Sequence, residues 1–227
     1  MPAALPDRIA HALRYPFDPP HRAYRFRAGG LHPPEPFDPA GLHAVVASGS
    51  NGSPDRLQQK FGDAVEVPVT YGIIHDLVPV FAARVTGYGS VPATLAVVPG
   101  ARAGVHVTWL TDAQLQIMHQ TESLGTGYAY CALEGFEFTA QGDHPRAPLH
   151  AYISLHGALA PEGRLLPLAQ VPQTQAQQHV MDSFGFAGTL AEFVRLNLDD
   201  PDHRLRANDA ASRIGQTIDD VRLMRIA

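Results

Sequence analysis

Leu42-His43-Ala44-Val45-Val46-Ala47-Ser48-Gly49-Ser50-Asn51-Gly52-Ser53-Pro54-Asp55-Arg56-Leu57 is the stretch on which the fold turns. Leu42 to Ala47 is a short apolar run closed by a Gly/Ser/Asn cluster, the pattern of a buried strand. Ser53 stands where an N-cap belongs and Pro54 at the first helical position, where its missing N–H does no harm, so a helix opens there. The order is strand, loop, helix. Small residues between a strand and a helix leave backbone N–H groups open to a ligand, and the helix N-terminus adds partial positive charge. An anionic or carboxylate-bearing ligand suits such a loop. Two other readings of the same residues stay open. One is a tight turn in which Ser and Asn bond local amides. The other is a hydrolase nucleophile elbow, with Ser50 as nucleophile and Ser48 in place of the first glycine.

Outward from this unit, Val65, Val67 and Val69 alternate with Glu66, Pro68 and Thr70, which predicts a half-wet strand, at an edge because of Pro68. Residues 78–86 and 93–98 are the next expected strands. Val105, Val107 and Trp109 alternate with His106 and Thr108 before Thr111-Asp112-Ala113-Gln114, a capping box that predicts a helix to about Thr121. Two more strands are expected at Tyr128 to Phe138 and Leu149 to Leu155. After Pro172 the strand pattern stops. Thr189-Leu190-Ala191-Glu192 caps a helix whose Leu190, Phe193, Val194 and Leu198 form one stripe, and Asp200-Pro201 starts another.

Upstream, nine of the 20 prolines precede Leu42. Missing amide donors there argue against regular helix or central strand. Tyr15, Phe17, Tyr24, Phe26 and Phe37 make the segment too aromatic for a solvated linker, so it is expected to pack on the core. The organisation read from the chain is an irregular Pro-rich leader over 1–41, a core domain over 42–171 and a helical appendage over 172–227.

The 227 residues carry 22 acidic and 17 basic side chains, a net charge of -5, with 45% hydrophobic and 17% charged residues. That is the composition of a folded globular chain. No run of Lys or Arg follows a phosphate backbone, so nucleic acid is not expected as a partner. Lys60 is the only lysine among the basic residues, a bias that fits a high-GC coding background. Cys131 is the only cysteine, so neither an internal disulfide nor a thiolate cage can form. Met1-Pro2-Ala3-Ala4-Leu5-Pro6-Asp7 has no apolar core of a signal sequence, and no stretch of about 18 apolar residues could span a membrane. A cytoplasmic protein without a membrane partner is expected; the oligomeric state is not legible. The 12 histidines include no His-Glu-x-x-His and no helical i, i+4 pair. His144, His150 and His156 recur every six residues around a strand, which scatters them over its faces, and His75-Asp76 lacks partner histidines. No metal and no cofactor are expected.

On the helix opened by Thr111, Leu115, Met118 and Glu122 stand at i, i+3 and i+7, so Glu122 continues an apolar stripe. Desolvation there and the negative end of the helix dipole both raise a carboxyl's proton affinity, as a group that exchanges protons near neutral pH requires. The alternative is a frayed last turn with Glu122 in water.

Taken together, Ala47 through Leu57 resembles the opening motif of the gamma-glutamylcyclotransferase-like family, usually Tyr-Gly-Ser-Asn-Leu followed by a helix. Gly87-Tyr88 with Pro92-Ala93-Thr94-Leu95, then Pro99-Gly100, Gly104-Val105 and Trp109 through Leu115 to Glu122 and Tyr128, is similar to that family's run from its third strand to its catalytic Glu. The likeness covers roughly 42–155. It implies an α+β fold, a small mixed β-barrel flanked by helices, and an enzyme that cyclises a γ-glutamyl amine or peptide to 5-oxoproline without metal or cofactor. It also implies that Ser48, Gly49, Ser50, Asn51, Gly52 and Tyr128 bind the small-molecule substrate, and that Glu122 is the general acid/base. Ser48 and Gly52 depart from the motif's Tyr and Leu and change the pocket wall. Two alternatives stand beside this reading: a non-catalytic binding module for glutamyl or carboxylate ligands on the same fold, and a serine hydrolase using Ser50.

Overall fold

The computed structural model describes residues 4–27, 30–62, 65–142 and 146–227. Met1, Pro2, Ala3 and His144 lie outside the described residues. In chain order the elements are α1 (Leu5–Leu13), β1 (Tyr24–Arg27), β2 (Gly30–His32), β3 (His43–Ala47), a 3-10 turn (Ser50–Gly52), α2 (Pro54–Phe61), β4 (Val67–Phe81) and β5 (Ala93–Leu110). They continue with α3 (Asp112–Thr121), β6 (Tyr128–Leu133), β7 (Phe138–Ala140), β8 (Leu149–Ser154), β9 (Ala158–Leu159), α4 (Gln173–Phe184), α5 (Leu190–Asp199), α6 (Pro201–Arg213), β10 (Gly215–Gln216) and β11 (Leu223–Arg225).

The fold is mixed α+β. The main sheet runs β11-β6-β8-β3-β5-β4-β1-β2, with β7 also on β4, and only the β3–β8 pair is parallel. Among the described residues β11 and β2 end this path without meeting, so the sheet is open where a barrel was expected.

Local signals produced the helices they predicted. Thr111 accepts from the Gln114 amide at 3.3 Å while Gln114 Oε1 accepts from the Thr111 amide at 2.9 Å, and α3 follows. The Thr189/Glu192 box caps α5, and Asp200 Oδ1 accepts from the amides of Asp202 and His203 at the head of α6. Ser53 occupies the N-cap of α2 but makes no side-chain cap bond.

The strands differ from expectation in length and order. Val67 to Phe81 forms one strand where two were expected, and Ala93 to Leu110 another. The ladder between them shifts register between His75 and Leu77, where Asp76 has φ 61° and accepts the Gly100 amide at 2.7 Å. Such a bulge bends a strand without ending it. Beyond the bend the start of β5 crosses the ends of β6 and β8: Ala93 O accepts from the Tyr128 hydroxyl at 2.9 Å and Thr94 Oγ1 from the Ser154 amide at 3.0 Å. The bend brings Ala93 to the Ser48–Asn51 loop. Pro68 does not mark an edge either, because β4 carries β5 on one side and β1 and β7 on the other; the β5 ladder begins at Val69, one residue past the proline.

The leader, expected to be irregular, carries α1, β1 and β2 between irregular stretches. Its described prolines fall between elements or in a first turn: Pro6 sits in the first turn of α1, Pro16, Pro19 and Pro20 between α1 and β1, and Pro33 to Pro39 after β2. The tail is not purely helical, since β11 returns to pair with β6.

The three largest apolar clusters among the described residues hold these layers. Val45, Leu57, Leu110, Leu115 and Met118 pack α2 and α3 onto one sheet face. Val46, Ile74, Val107 and Trp109 fill the opposite face. Phe81 and Val91 join Tyr15 and Phe17 of the leader and Val180, Phe193 and Ala207 of the tail. Each such buried side chain contributes about 1.5–3 kcal/mol, so leader and tail are integral to the core.

Candidate active site

The turn after β3 and the end of α3 converge. Within the loop, the amides of Gly52 and Ser53 close onto the carbonyls of Gly49 and Ser50 at 3.2 and 2.8 Å. Asn51 Nδ2 donates to Glu122 Oε1 at 3.1 Å, joining loop and carboxylate directly. Lys60, near the end of α2, reaches the same Oε1, and its other contacts are Thr121 Oγ1 at 2.8 Å and Met118 Sδ at 3.1 Å. No described group takes Glu122 Oε2.

The Lys60 side chain is 2% exposed and that of Glu122 14%. Burial pushes the carboxyl of Glu122 up, but the Lys60 charge and hydrogen bond, the Asn51 hydrogen bond and the Arg56 charge outweigh it and hold it below the ordinary glutamate value. This reverses the direction expected from desolvation and the helix dipole. Burial lowers the Lys60 ammonium below its usual value while Glu122 opposes the shift. The ammonium also sits at the negative end of α3, where a cation is favoured.

Glu122, but not Lys60, opens onto a cavity of about 250 Å³ whose lining also includes Ser48, Gly49, Ser50, Asn51 and Tyr128. Four further concavities, of about 460, 510, 640 and 910 Å³, are larger but contain neither Glu122 nor Asn51. Arg56 and Arg84 also line the 250 Å³ cavity, stacked over Tyr88 at 5.2 Å and Tyr128 at 6.0 Å. Neither makes an ion pair among the described residues, although the Arg56 charge is felt by Glu122, and the Nε atom of each is buried without a hydrogen bond. With Glu122 neutralised by Lys60, two guanidinium groups leave the cavity positive. It suits an anion.

No protein-family model and no curated protein matches the chain. Solved structures similar to it include these two. One is a gamma-glutamyl cyclotransferase, at TM-score 0.43 and 13% identity over 79% of this chain and 91% of that one. The other is the uncharacterised protein LOC79017 from Homo sapiens, at TM-score 0.42 and 12% identity over 80% and 92%.

Of the residues singled out in the sequence, Ser48, Gly49, Ser50, Asn51, Glu122 and Tyr128 meet at one cavity, and Gly52 stands apart. Gly52 O accepts from the Tyr24 hydroxyl at 2.9 Å, and a Cβ at Gly52 would fall 2.6 Å from His106 Nδ1. Close approach of the histidine ring, not a ligand, requires glycine there. Tyr128 contributes its ring, since its hydroxyl is bonded to Ala93 O. No described residue lining the cavity is a histidine, so Ser50 has no imidazole base beside it.

Sequence reasoning missed Lys60, Arg56, Arg84 and Tyr15. The signal for Lys60 was available. In a chain that otherwise uses arginine, the single lysine stands out, and its compact ammonium serves Glu122 as a point charge.

Proposed function

We propose that this cavity cyclises a γ-glutamyl amine or γ-glutamyl peptide to 5-oxoproline and releases the amine. The observation that carries the reading is the 3.1 Å bond from Asn51 to Glu122, which joins the substrate-gripping loop and the one carboxylate in a single cavity. The Gly49–Asn51 segment holds the glutamyl part, and Arg56 and Arg84 supply charge for its α-carboxylate. Asn51 Oδ1, buried with no partner among the described residues, and Glu122 Oε2 are acceptors for the α-ammonium.

The chemistry follows from those contacts. Glu122, held anionic by Lys60, takes a proton from the α-ammonium and frees its lone pair. The nitrogen attacks the γ-carbonyl carbon; a C–N bond forms and the carbonyl oxygen gains charge. As the carbonyl reforms, the bond to the leaving nitrogen breaks. Two protons pass in all from the attacking nitrogen to the departing amine, with Glu122 as carrier, and nothing is oxidised or reduced. The substrate's own chain already makes the step unimolecular, and the cavity adds to this by holding it folded with the amine aligned on the γ-carbonyl for five-membered ring closure. A small-molecule γ-glutamyl substrate is thus the partner, in a cytoplasmic protein whose lone cysteine is buried.

The test is 5-oxoproline release by wild type and Glu122→Gln. The variant is expected to lose turnover while still binding a γ-glutamyl ligand by calorimetry; retained turnover overturns the role of Glu122. A second reading, a binding module that holds such ligands without reaction, is favoured by the Lys60 contact, which occupies one oxygen of the candidate base. It predicts ligand-induced thermal stabilisation with no product.

A further inference from the structure

Two buried tyrosine hydroxyls in the cavity meet one residue from opposite sides. Ala93, the first residue of β5, donates its amide to the Tyr15 hydroxyl at 2.8 Å, and its carbonyl accepts from the Tyr128 hydroxyl at 2.9 Å. Their protons are in different situations. That of Tyr128 is committed to a carbonyl. Tyr15 accepts from Ala93, and no described group accepts its proton. A hydroxyl that accepts from an amide is polarised into a stronger donor.

Tyr15 is 6% exposed and lines the cavity with Glu122. It also explains Gly49, since a Cβ there would fall 2.2 Å from the Tyr15 hydroxyl oxygen. Burial, then the neighbouring Tyr88 and the charge of Glu122, drive the phenol's pKa above its usual value against the Ala93 amide, so it stays protonated.

We propose that Tyr15, contributed by the N-terminal segment outside the strand–loop–helix unit, donates a hydrogen bond to the γ-carbonyl oxygen as that oxygen gains charge during ring closure. The inference rests on the cyclisation reading above. The proton stays on Tyr15: the bond strengthens as the nitrogen attacks, and relaxes when the leaving C–N bond breaks and the lactam carbonyl reforms. A donor aimed at developing charge acts on kcat more than on ground-state binding.

The experiment compares wild type, Tyr15→Phe and Tyr128→Phe in 5-oxoproline release from γ-L-glutamyl-L-alanine, with 5-oxoproline binding followed by calorimetry. Tyr15→Phe is expected to lower kcat by about 10²-fold or more with KM changed less than about threefold, and Tyr128→Phe to lower kcat far less. Equal losses in the two variants would show that both tyrosines merely hold Ala93, and would overturn the proposal. So would a rise in KM alone. If wild type forms no 5-oxoproline, the cyclisation reading fails on its own, and calorimetry judges the donor: weaker binding of 5-oxoproline to Tyr15→Phe than to wild type supports it, and equal or undetectable binding overturns it. Should Tyr15→Phe fail to fold, 3,5-difluorotyrosine at position 15 keeps the ring and acidifies the phenol. A donor then adds a basic limb to the kcat profile as the phenol ionises, and a structural tyrosine does not.

Discussion

Replacing Lys60 by Met removes the ammonium and keeps an apolar side chain of similar length. In wild type the ion pair is nearly dry, 2% and 14% exposed on its two sides, so solvent screening does little to weaken it. Breaking such a pair from one side leaves an orphan buried carboxylate and costs about 3–5 kcal/mol. The Thr121 hydrogen bond, 2.8 Å in wild type, is lost as well. Because Lys60 holds the Glu122 carboxyl below its ordinary value, the wild-type pair stabilises the fold above the unfolded glutamate value of about 4.3, and that contribution is lost as pH falls through the lower folded value. In Lys60→Met burial acts unopposed by the ammonium and the carboxyl rises. The deficit is therefore largest at neutral pH and shrinks toward pH 4, where protonation relieves the orphan charge. Denaturant unfolding at several pH values measures this, and the acid limb of kcat/KM should move up by at least about one unit, equivalent to about 1.4 kcal/mol. In the Lys60→Met/Glu122→Gln double variant no orphan charge remains, and a coupling of about 2 kcal/mol is expected. A loss under about 1 kcal/mol with an unmoved acid limb would refute the reasoning.

Three further outcomes follow from the same geometry. Asn51→Ala removes a buried hydrogen bond to a charged group, worth about 1.5–3 kcal/mol, and should raise the Glu122 pKa in a ¹³C-detected titration. Arg84→Gln should weaken a carboxylate-bearing γ-glutamyl ligand by about 10–100-fold in calorimetry, the same range of energy at 1.4 kcal/mol per decade. Phe193→Ala, at a fully buried site shared with Tyr15 and Phe81, should cost about 3–5 kcal/mol and keep a single unfolding transition; two transitions would mean that the tail folds apart from the sheet.

What the sequence disclosed is local. The Thr111/Gln114 and Thr189/Glu192 boxes and Asp200-Pro201 fix helix starts through bonds three residues apart, and each helix begins where those residues put it. The approach of Glu122 to the loop was legible only through the family resemblance, because the contact spans 71 residues. What stayed hidden depends on distant pairing. The bulge at Asp76 depends on Gly100 across the ladder, so one long bent strand looked like two short ones. Pro68 looked like an edge because no local signal shows that β1, from the leader, pairs beside it. Prolines suggested an irregular leader, yet they sit where no amide donor is needed. Lys60 changes the sign of the Glu122 shift through a contact between two helices 62 residues apart, and Tyr15 enters the cavity from 78 residues before Ala93.

The most direct test of the central claim is to incubate the protein with γ-L-glutamyl-L-alanine in ¹⁸O-labelled water and weigh the products. Ring closure by the substrate's own amine admits no water, so the account predicts unlabelled 5-oxoproline and alanine in equal amounts, abolished by Glu122→Gln. Glutamate carrying one ¹⁸O would mean hydrolysis, and bound but unchanged substrate would mean a binding module; either result contradicts the account.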